Sequence, residues 1–102
     1  MNQVILTGNL TRDPEVRTTH SGKMRVTFGI AVQYGNKETE FFNLVAWDKT
    51  AEFIGKYFRK GKRIMVVGHL QTNNYTDSSG VKRYGVDIIV DSVEFGGGKE
   101  QG

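Results

Sequence analysis

Residues 24–33 read Met-Arg-Val-Thr-Phe-Gly-Ile-Ala-Val-Gln, and large apolar side chains alternate along them with small or polar ones. A period of two places successive side chains on opposite faces of an extended strand. One face of this strand therefore carries the large apolar residues and is expected to contribute to a hydrophobic core. This is the clearest strand signal in the chain, and the fold prediction starts from it.

Further strands are predicted on both sides of residues 24–33. Residues 4–10 form a short aliphatic run that ends before Pro14, which cannot donate to a strand ladder. Residues 41–47 also read as a strand, but with apolar side chains on both faces. One of those faces belongs to the core, and the other needs a different explanation.

The C-terminal half predicts a helix followed by a long hairpin. Between residues 50 and 58 apolar side chains recur at i, i+3, i+6 and i+7, with Asp48 or Thr50 as the expected cap and Gly61 beyond the end. Residues 64–70 and 84–90 read as two strands joined through a turn-forming segment rich in Asp, Ser and Gly. Five strands with one helix between the third and fourth predict an all-β fold with one short helix, a five-stranded Greek-key OB-fold barrel with a long β-hairpin.

The length of 102 residues is that of one domain. We expect the OB-fold domain to span residues 1–95. Residues 96–102 are expected to form a flexible Gly-rich C-terminal end, because they contain nothing to bury.

Charge and composition narrow the range of partners. The chain has 14 Lys and Arg against 11 Asp and Glu, a net charge of +3, which favours a polyanionic partner without requiring one. Cysteine is absent, and His20 and His69 have no acidic or thiolate neighbours at ligand spacing, so neither a disulfide nor a metal site is expected. Neither a signal peptide nor a membrane segment is predicted, and we expect a cytoplasmic protein.

The second apolar face of residues 39–47, Thr-Glu-Phe-Phe-Asn-Leu-Val-Ala-Trp, is the strongest functional signal. A strand here places Phe41, Val45 and Trp47 on one face. Exposed rings stack on nucleobases with little sequence preference, at roughly 1–3 kcal/mol per base. The pattern therefore predicts a binder of single-stranded nucleic acid.

Four segments, taken in order, carry a resemblance to a known family. They are Val-Ile-Leu-Thr-Gly-Asn-Leu at 4–10, Asp-Pro-Glu-Val-Arg at 13–17, the block at 51–61, and Tyr-Thr-Asp at 75–77. With these segments the chain resembles the bacterial single-stranded DNA-binding protein family, almost continuously from Asn2 to Phe95. The resemblance implies an OB-fold homotetramer without cofactor, which coats and protects single-stranded DNA in replication, recombination or repair.

The resemblance also assigns roles to individual residues. Stacking rings are implied at Phe41, Trp47 and Tyr75, with Tyr34 near a further stacking position in a shortened loop. Contacts to phosphate are implied at or near four cationic positions. These are Arg17, Lys37, Lys49 and Lys60.

A subunit interface is the other explanation for an apolar outer face. The candidates for that role are Val4, Leu6, Phe42, Met65, Val67 and Ile89. The remaining phenylalanines are expected in the core, because rings bury a large area. These are Phe28, Phe53, Phe58 and Phe95.

Two other readings stay open, and no enzyme activity is expected. A primosomal adapter of the primosomal protein N type is an OB-fold dimer, and an RNA-binding OB module would tolerate a 2′-hydroxyl. An enzyme has little support, because acid pairs such as Asp87 and Asp91 need a cleft and a perturbed partner.

Members of the family commonly continue to an acidic tip that recruits replication and repair enzymes. Since this sequence stops at Gly102, such partners are not expected from it.

Overall fold

The computed structural model of the protein describes residues 1–96. The expected flexible end at 96–102 therefore lies, apart from Gly96, outside the described residues. Within the described part, eight strands and one helix follow one another. They are β1 (Val4–Leu10), β2 (Glu15–Thr18), β3 (Met24–Tyr34), β4 (Glu38–Trp47), α1 (Asp48–Tyr57), β5 (Arg63–Thr72), β6 (Tyr75–Thr76), β7 (Lys82–Arg83) and β8 (Val86–Phe95).

Five of the strands close into a barrel, in the order β1, β5, β8, β4, β3. Every pairing in the ring is antiparallel except that of β4 with β8. The ring closes where β1 pairs with β3, through Asn9↔Ala31 and Leu10↔Ile30. The short strand β2 pairs with β3 further along the same edge. This closed, five-stranded arrangement confirms the predicted OB-fold class.

The core lies inside this barrel, as the period-two pattern predicts. Val26, Phe28 and Ile30, the large residues of β3, are fully buried. Leu44 of β4 and Ile64 of β5 meet them from facing strands and are also fully buried. Each such side chain contributes about 1.5–3 kcal/mol through removal from water, so the interior fixes which face of each strand points outward.

Barrel closure depends on a glycine in β1. A Cβ atom at Gly8 would lie 2.4 Å from the carbonyl oxygen of Ala31. That oxygen belongs to the backbone of β3, which cannot move aside without opening the β1–β3 pairing. Gly8 therefore permits the close approach of the two strands that complete the ring.

The predicted helix is present, but its start differs from the expectation. The expected cap at Asp48 or Thr50 is wrong, because Trp47 occupies the N-cap position without a side-chain hydrogen bond. Asp48 instead begins α1 with a φ of 55°, a conformation that aspartate tolerates better than most residues. After the helix Gly61 adopts a φ of 90°, and its amide donates to Leu10 O at 2.8 Å.

The long hairpin extends further than the sequence pattern indicates. Its arms β5 and β8 pair from Ile64↔Phe95 to Thr72↔Val86, with an irregularity between Val67 and Gly68. Beyond them β6 and β7 form a small two-stranded sheet through Tyr75↔Arg83. The hairpin therefore projects past the barrel and carries Tyr75 near its tip.

Candidate nucleic-acid interface

The outer side of β3 and β4 carries Phe41 and Trp47, and we call it the ring face. Residues paired across an antiparallel ladder point to the same side. The register pairs Phe41 with Ala31 and Trp47 with Arg25. The two rings are six positions apart along β4, or about 20 Å at the usual strand rise. Two aromatic side chains are thus held by one rigid sheet at a fixed separation.

The two rings differ in how openly they are presented. Phe41 is 71% exposed, because its cross-strand neighbour Ala31 is too small to cover it. Trp47 is 37% exposed, and the guanidinium carbon of Arg25 lies 5.8 Å from its ring centroid. That distance allows a cation–π contact. Phe41 therefore offers the larger free surface for stacking.

Val45 does not belong to the exposed row. It is only 8% exposed, so the expectation of Phe41, Val45 and Trp47 together on an open face is wrong for its middle member. Its pairing with Thr27 places the side chain on the same outer face as the two rings, but it is buried there. The ring face consists of two separate stacking positions with polar and cationic groups between and beside them.

Guanidinium groups occupy the ring face around these positions. Arg17 of β2 pairs with Arg25 across the ladder, and its Nε donates to Glu15 Oε2 at 2.8 Å. Arg12 Nη1 donates to Asn43 Oδ1 at 3.4 Å. Such groups suit phosphate, which they can contact with parallel N–H donors. The face therefore combines stacking surface with positive charge.

Two of these arginines were not predicted from sequence. Arg25 lies on the polar side of the strand at residues 24–33, but only the register shows that this side faces Trp47. Arg12 reaches the face because Gly29 leaves room: a Cβ atom at Gly29 would lie 2.6 Å from Arg12 Nη1. A glycine on the polar side of an otherwise regular strand is the signal that could have indicated such an approach.

The other cationic candidates lie outside the strands that form the ring face. Lys37 is exposed in the turn between β3 and β4. Lys49 is exposed in the first turn of α1. Lys60 follows the helix, and its backbone amide donates to Asp13 Oδ1 at 2.8 Å. A phosphate role for these three lysines stays a prediction.

Tyr34 and Tyr75 do not share the ring face. Tyr34 pairs with Glu38 at the end of the ladder, three positions from the Ala31↔Phe41 pair, and so points to the opposite side of the sheet. Tyr75 lies on the hairpin tip and is paired with Arg83. Both tyrosines are about half exposed, and their stacking roles stay predictions.

The hairpin tip is organised by one carboxylate. Asp77 Oδ1 accepts from the amides of Ser79 and Val81 at 2.9 and 3.0 Å, and its Oδ2 accepts from Arg83 Nε at 2.9 Å. The Val81 amide, followed by the Arg83 guanidinium, lowers the pKa of Asp77 below its ordinary value of 3.8. Arg83 is also the strand partner of Tyr75, so the network lies beside that residue.

The hairpin tip should therefore lose order in strong acid. A carboxyl group with a lowered pKa in the folded state stabilises that state fully well above 3.8, and this contribution is lost as the pH falls through the lower, folded-state value. NMR titration of the Ser79 and Val81 amides measures the transition. The variant Asp77→Asn should show a loosened tip at neutral pH and no such transition. Identical amide shifts in the two proteins would contradict the assignment.

The six interface candidates fall on two sides of the barrel wall. Register places Met65, Val67 and Ile89 on the outside, where Ile5, which sequence analysis did not name, joins them at 63% exposure. The other three candidates share the side of the buried residues, and two of them pack against the core. These are Val4, Leu6 and Phe42, of which Leu6 and Phe42 make the core contacts. An interface role for all six stays a prediction.

Two further properties of the described part bear on the expectations. Among residues 1–96 we find no helix with the length and apolar character of a membrane span. In the same residues, no three His, Asp or Glu side chains come together in a way that could hold a metal ion.

An OB-fold barrel with rings and guanidinium groups on one outer face defines a class of protein, the modules that bind oligonucleotides or oligosaccharides on a sheet face. Comparison with known proteins gives the family. Residues 1–96 match the model of the single-strand binding protein family. The chain belongs to the single-strand binding protein family.

Individual relatives agree with this family. The chain is 47% identical to a single-stranded DNA-binding protein of Fusobacterium nucleatum, over 97% of this chain and 69% of the relative. It is 41% identical to one of Bacillus cereus, over 100% of this chain and 66% of the relative. It is 42% identical to one of Staphylococcus aureus, over 93% and 65%. The chain thus spans about two thirds of the length of these relatives.

Proposed function

We propose that this protein binds single-stranded DNA without sequence preference, by stacking on the ring face and by contacts between cations and phosphate. The observation that carries the proposal is the exposed Phe41 ring on a sheet that also presents Arg17 and Arg25. Stacking is tolerant of sequence because every base has a π-face. Membership of the single-strand binding protein family supports the same ligand.

The biological role that fits this binding is non-enzymatic. The protein coats exposed strands during replication, recombination or repair and keeps them from pairing again or being degraded. We propose that it does so in the cytoplasm, at the nucleoid, as a homotetramer. The apolar outer patch formed by Ile5, Met65 and Val67 supports self-association, because such side chains are better covered than left in water. Sedimentation velocity measures the oligomeric state.

Trp47 provides the direct test of the proposed ligand, because it is the only tryptophan in the sequence. Its fluorescence is recorded during titration with oligo(dT), oligo(U) and duplex DNA at equal phosphate, in low and high salt. We expect salt-sensitive quenching by oligo(dT) and much weaker responses to the other two. An equal response to oligo(U) would favour an RNA-binding module. No response, together with a negative gel shift, would overturn the proposal.

Replacing the two partners of the Arg17–Glu15 ion pair should change the affinity for oligo(dT) in opposite directions. Arg17→Gln should reduce the slope of log affinity against log salt by about 0.9, the change for one lost phosphate contact. Glu15→Gln should strengthen binding, because it frees Arg17 and removes a negative charge beside the strand. Both side chains are more than half exposed, so the pair adds little to stability. If both variants changed the affinity for oligo(dT) in the same direction, a direct contact between Arg17 and phosphate would be contradicted.

A further inference from the structure

The hairpin of β2 and β3 places two arginines directly opposite each other. The register pairs Arg17 with Arg25, and the row continues to Trp47 on β4. Like charges directly opposite each other destabilise an antiparallel pair. Glu15 offsets part of this repulsion, because its Oε2 accepts from Arg17 Nε at 2.8 Å, whereas Arg25 takes part in none of the ion pairs found among residues 1–96. An anion bound between the two arginines would offset the rest.

A cavity of about 400 Å³ lies on this hairpin. Within the described residues, its walls come from β2, β3 and the turn between them, and they hold two guanidinium groups, an imidazole and two hydroxyl groups. The lining residues are Arg17, Thr18, Thr19, His20 and Arg25. Each of these side chains can donate a hydrogen bond, and none is a carboxylate. The lining therefore suits a phosphate group, whose charged oxygens accept hydrogen bonds.

The turn between the two strands is fixed by hydrogen bonds on either side of His20. The amide of Thr19 donates to Lys23 O at 2.8 Å, and the amide of Gly22 donates to Thr19 O at 2.9 Å. Thr19 Oγ1 accepts from the Lys23 amide at 3.1 Å. His20 is exposed, and its ring makes no hydrogen bond or ion pair with any other described residue. The backbone that carries the imidazole is thus held in place, while the ring has no partner to give up for a ligand.

The charged groups around His20 are mostly cationic. Arg17 and Arg25 line the same cavity, and Lys23 is exposed in the same turn. The one carboxylate of the hairpin, that of Glu15, is the partner of Arg17. In the part of the chain that the structure describes, α1 and the other strands contribute no charged residue to the lining. An anion bound here would favour the protonated imidazole, because a nearby opposite charge stabilises the charged form.

We propose that this cavity binds a phosphate group of the strand whose base stacks on Trp47, and that protonated His20 supplies the third cation of the site. The inference rests on the proposed function and adds to it a phosphate site and a dependence on pH. Arg25 joins the two parts, since it lines the cavity and its Cζ atom lies 5.8 Å from the Trp47 ring centroid. Histidine ordinarily changes its charge between about pH 5 and 8, so acidification within this range should tighten the binding of oligo(dT).

Replacing His20 tests the dependence on pH. We expect the wild type to bind oligo(dT) roughly 1.5-fold to 5-fold more tightly at about pH 5.5 than at about pH 8, the usual range for an exposed pair of opposite charges. His20→Gln should bind equally at both pH values, with the wild-type affinity of the higher pH. His20→Arg should also bind equally at both, with the wild-type affinity of the lower pH. Fluorescence anisotropy of labelled oligo(dT) at constant ionic strength measures the affinities.

The control is His69→Gln, which removes the other histidine of the sequence. His69 Nδ1 lies 3.0 Å from Asp91 Oδ2, and neither residue lines the cavity. This variant should therefore keep the full dependence on pH. Thymine does not change its charge in this range, so any difference between the two pH values comes from the protein.

Inorganic phosphate tests the cavity without DNA. In an NMR titration at about pH 6, where histidine is largely protonated, phosphate should shift the ring signals of His20 and the Nε–H signal of Arg25 together and to saturation. The ring signals of His69 should stay in place, because that residue lies outside the cavity.

The outcomes separate the site from the function on which it rests. A dependence on pH that is lost in His20→Gln and kept in His69→Gln, together with saturable phosphate shifts at His20, supports the site. Oligo(dT) binding that does not depend on pH, a dependence lost in His69→Gln instead, or the absence of saturable shifts would overturn the site alone. A wild-type protein that binds oligo(dT) at neither pH would overturn the proposed function as well.

Discussion

Replacing Phe41 by Ala should weaken oligo(dT) binding by about 1–3 kcal/mol, the usual contribution of one stacked base. This corresponds to a roughly 5-fold to 160-fold higher Kd. The ring is 71% exposed, so its removal takes little apolar surface out of the folded core. The unfolding midpoint should therefore stay close to that of the wild type. Fluorescence titration and chemical denaturation of the same preparation measure the two quantities.

Two further variants show whether the loss belongs to stacking at this position. Phe41→Trp retains a flat ring and should bind at least as well as the wild type. Tyr57→Ala removes a ring that is 46% exposed on α1, which lies off the ring face, and should leave affinity unchanged. If Phe41→Ala binds like the wild type, the stacking model is wrong. If Tyr57→Ala loses as much as Phe41→Ala, the effect is not specific to the ring face.

Trp47 should matter less than Phe41, although tryptophan has the larger ring. It is about half as exposed, and Arg25 already lies over it. A base that stacks there must share the ring with the guanidinium group or displace it. Exposure sets this order, and it depends on which residue is paired across the ladder.

The spacing of apolar residues within single strands and the helix predicts most of the fold, because the backbone of each element sets the direction of its own side chains. The period of two in residues 24–33 determines that Val26, Phe28 and Ile30 share a face, and all three are fully buried. Helical spacing between residues 50 and 58 places Ala51 and Ile54 in the core in the same way. In each case a side chain's direction follows from its own backbone, without knowledge of its neighbours.

The arrangement of the site depends on register, which no local pattern contains. Arg25 faces Trp47, and Asn9 links Arg63 to Ala31, because four strands pair with particular offsets. A shift by one residue would turn each of these side chains to the opposite face. The positions of the stacking rings came instead from resemblance to a family, which carries the register implicitly.

Closure of the sheet into a barrel also decides which side chains of a strand are exposed, and the pattern of that strand alone does not show this. An isolated β4 would leave Val45 as open as Phe41, but in the sheet Val45 lies between β3 and β8, paired with Thr27 and Ile89, and is only 8% exposed. Leu6 and Phe42 are apolar residues that pack against the core, so of the interface candidates only Met65, Val67 and Ile89 lie outside. The sequence indicates which strands have apolar residues on both faces, but not which face the barrel encloses.

The second large effect is expected on stability, from a change in a cluster of four aromatic rings at the end of α1. The rings belong to Phe53, Tyr57, Phe58 and Phe95. Phe58 is fully buried and stacks on Phe95 with ring centroids 5.0 Å apart and an interplanar angle of 23°. Phe53 packs at its edge, 6.1 Å away. The prediction that Phe95 is a core residue is wrong, since it is 50% exposed. It covers Phe58 from outside, and Phe58 is the ring that fills the interior beside α1.

Phe58→Ala should therefore destabilise the fold by about 3–5 kcal/mol, through lost transfer energy and the cavity left behind. That is a large fraction of the roughly 5–15 kcal/mol typical of a whole domain. The neighbouring variant Tyr57→Ala removes a ring that is 46% exposed and lies 4.9 Å from Phe53, and it should cost about 0.5–1.5 kcal/mol. Urea denaturation at one fixed protein concentration compares them, because self-association makes apparent stability depend on concentration.

Comparing Tyr57→Ala with Phe58→Ala shows whether a ring stabilises the fold through its burial or through its contacts with other rings. If contact with other rings were the main source of stability, Tyr57→Ala and Phe58→Ala would cost similar amounts, since each ring lies within about 6.3 Å of two others. Burial predicts a difference of several kcal/mol instead, because only Phe58 leaves a cavity. If Phe58→Ala does not fold, Phe58→Leu provides the comparison, with a smaller loss that should still exceed that of Tyr57→Ala. Equal losses in the two variants would show that α1 does not seal the barrel through Phe58.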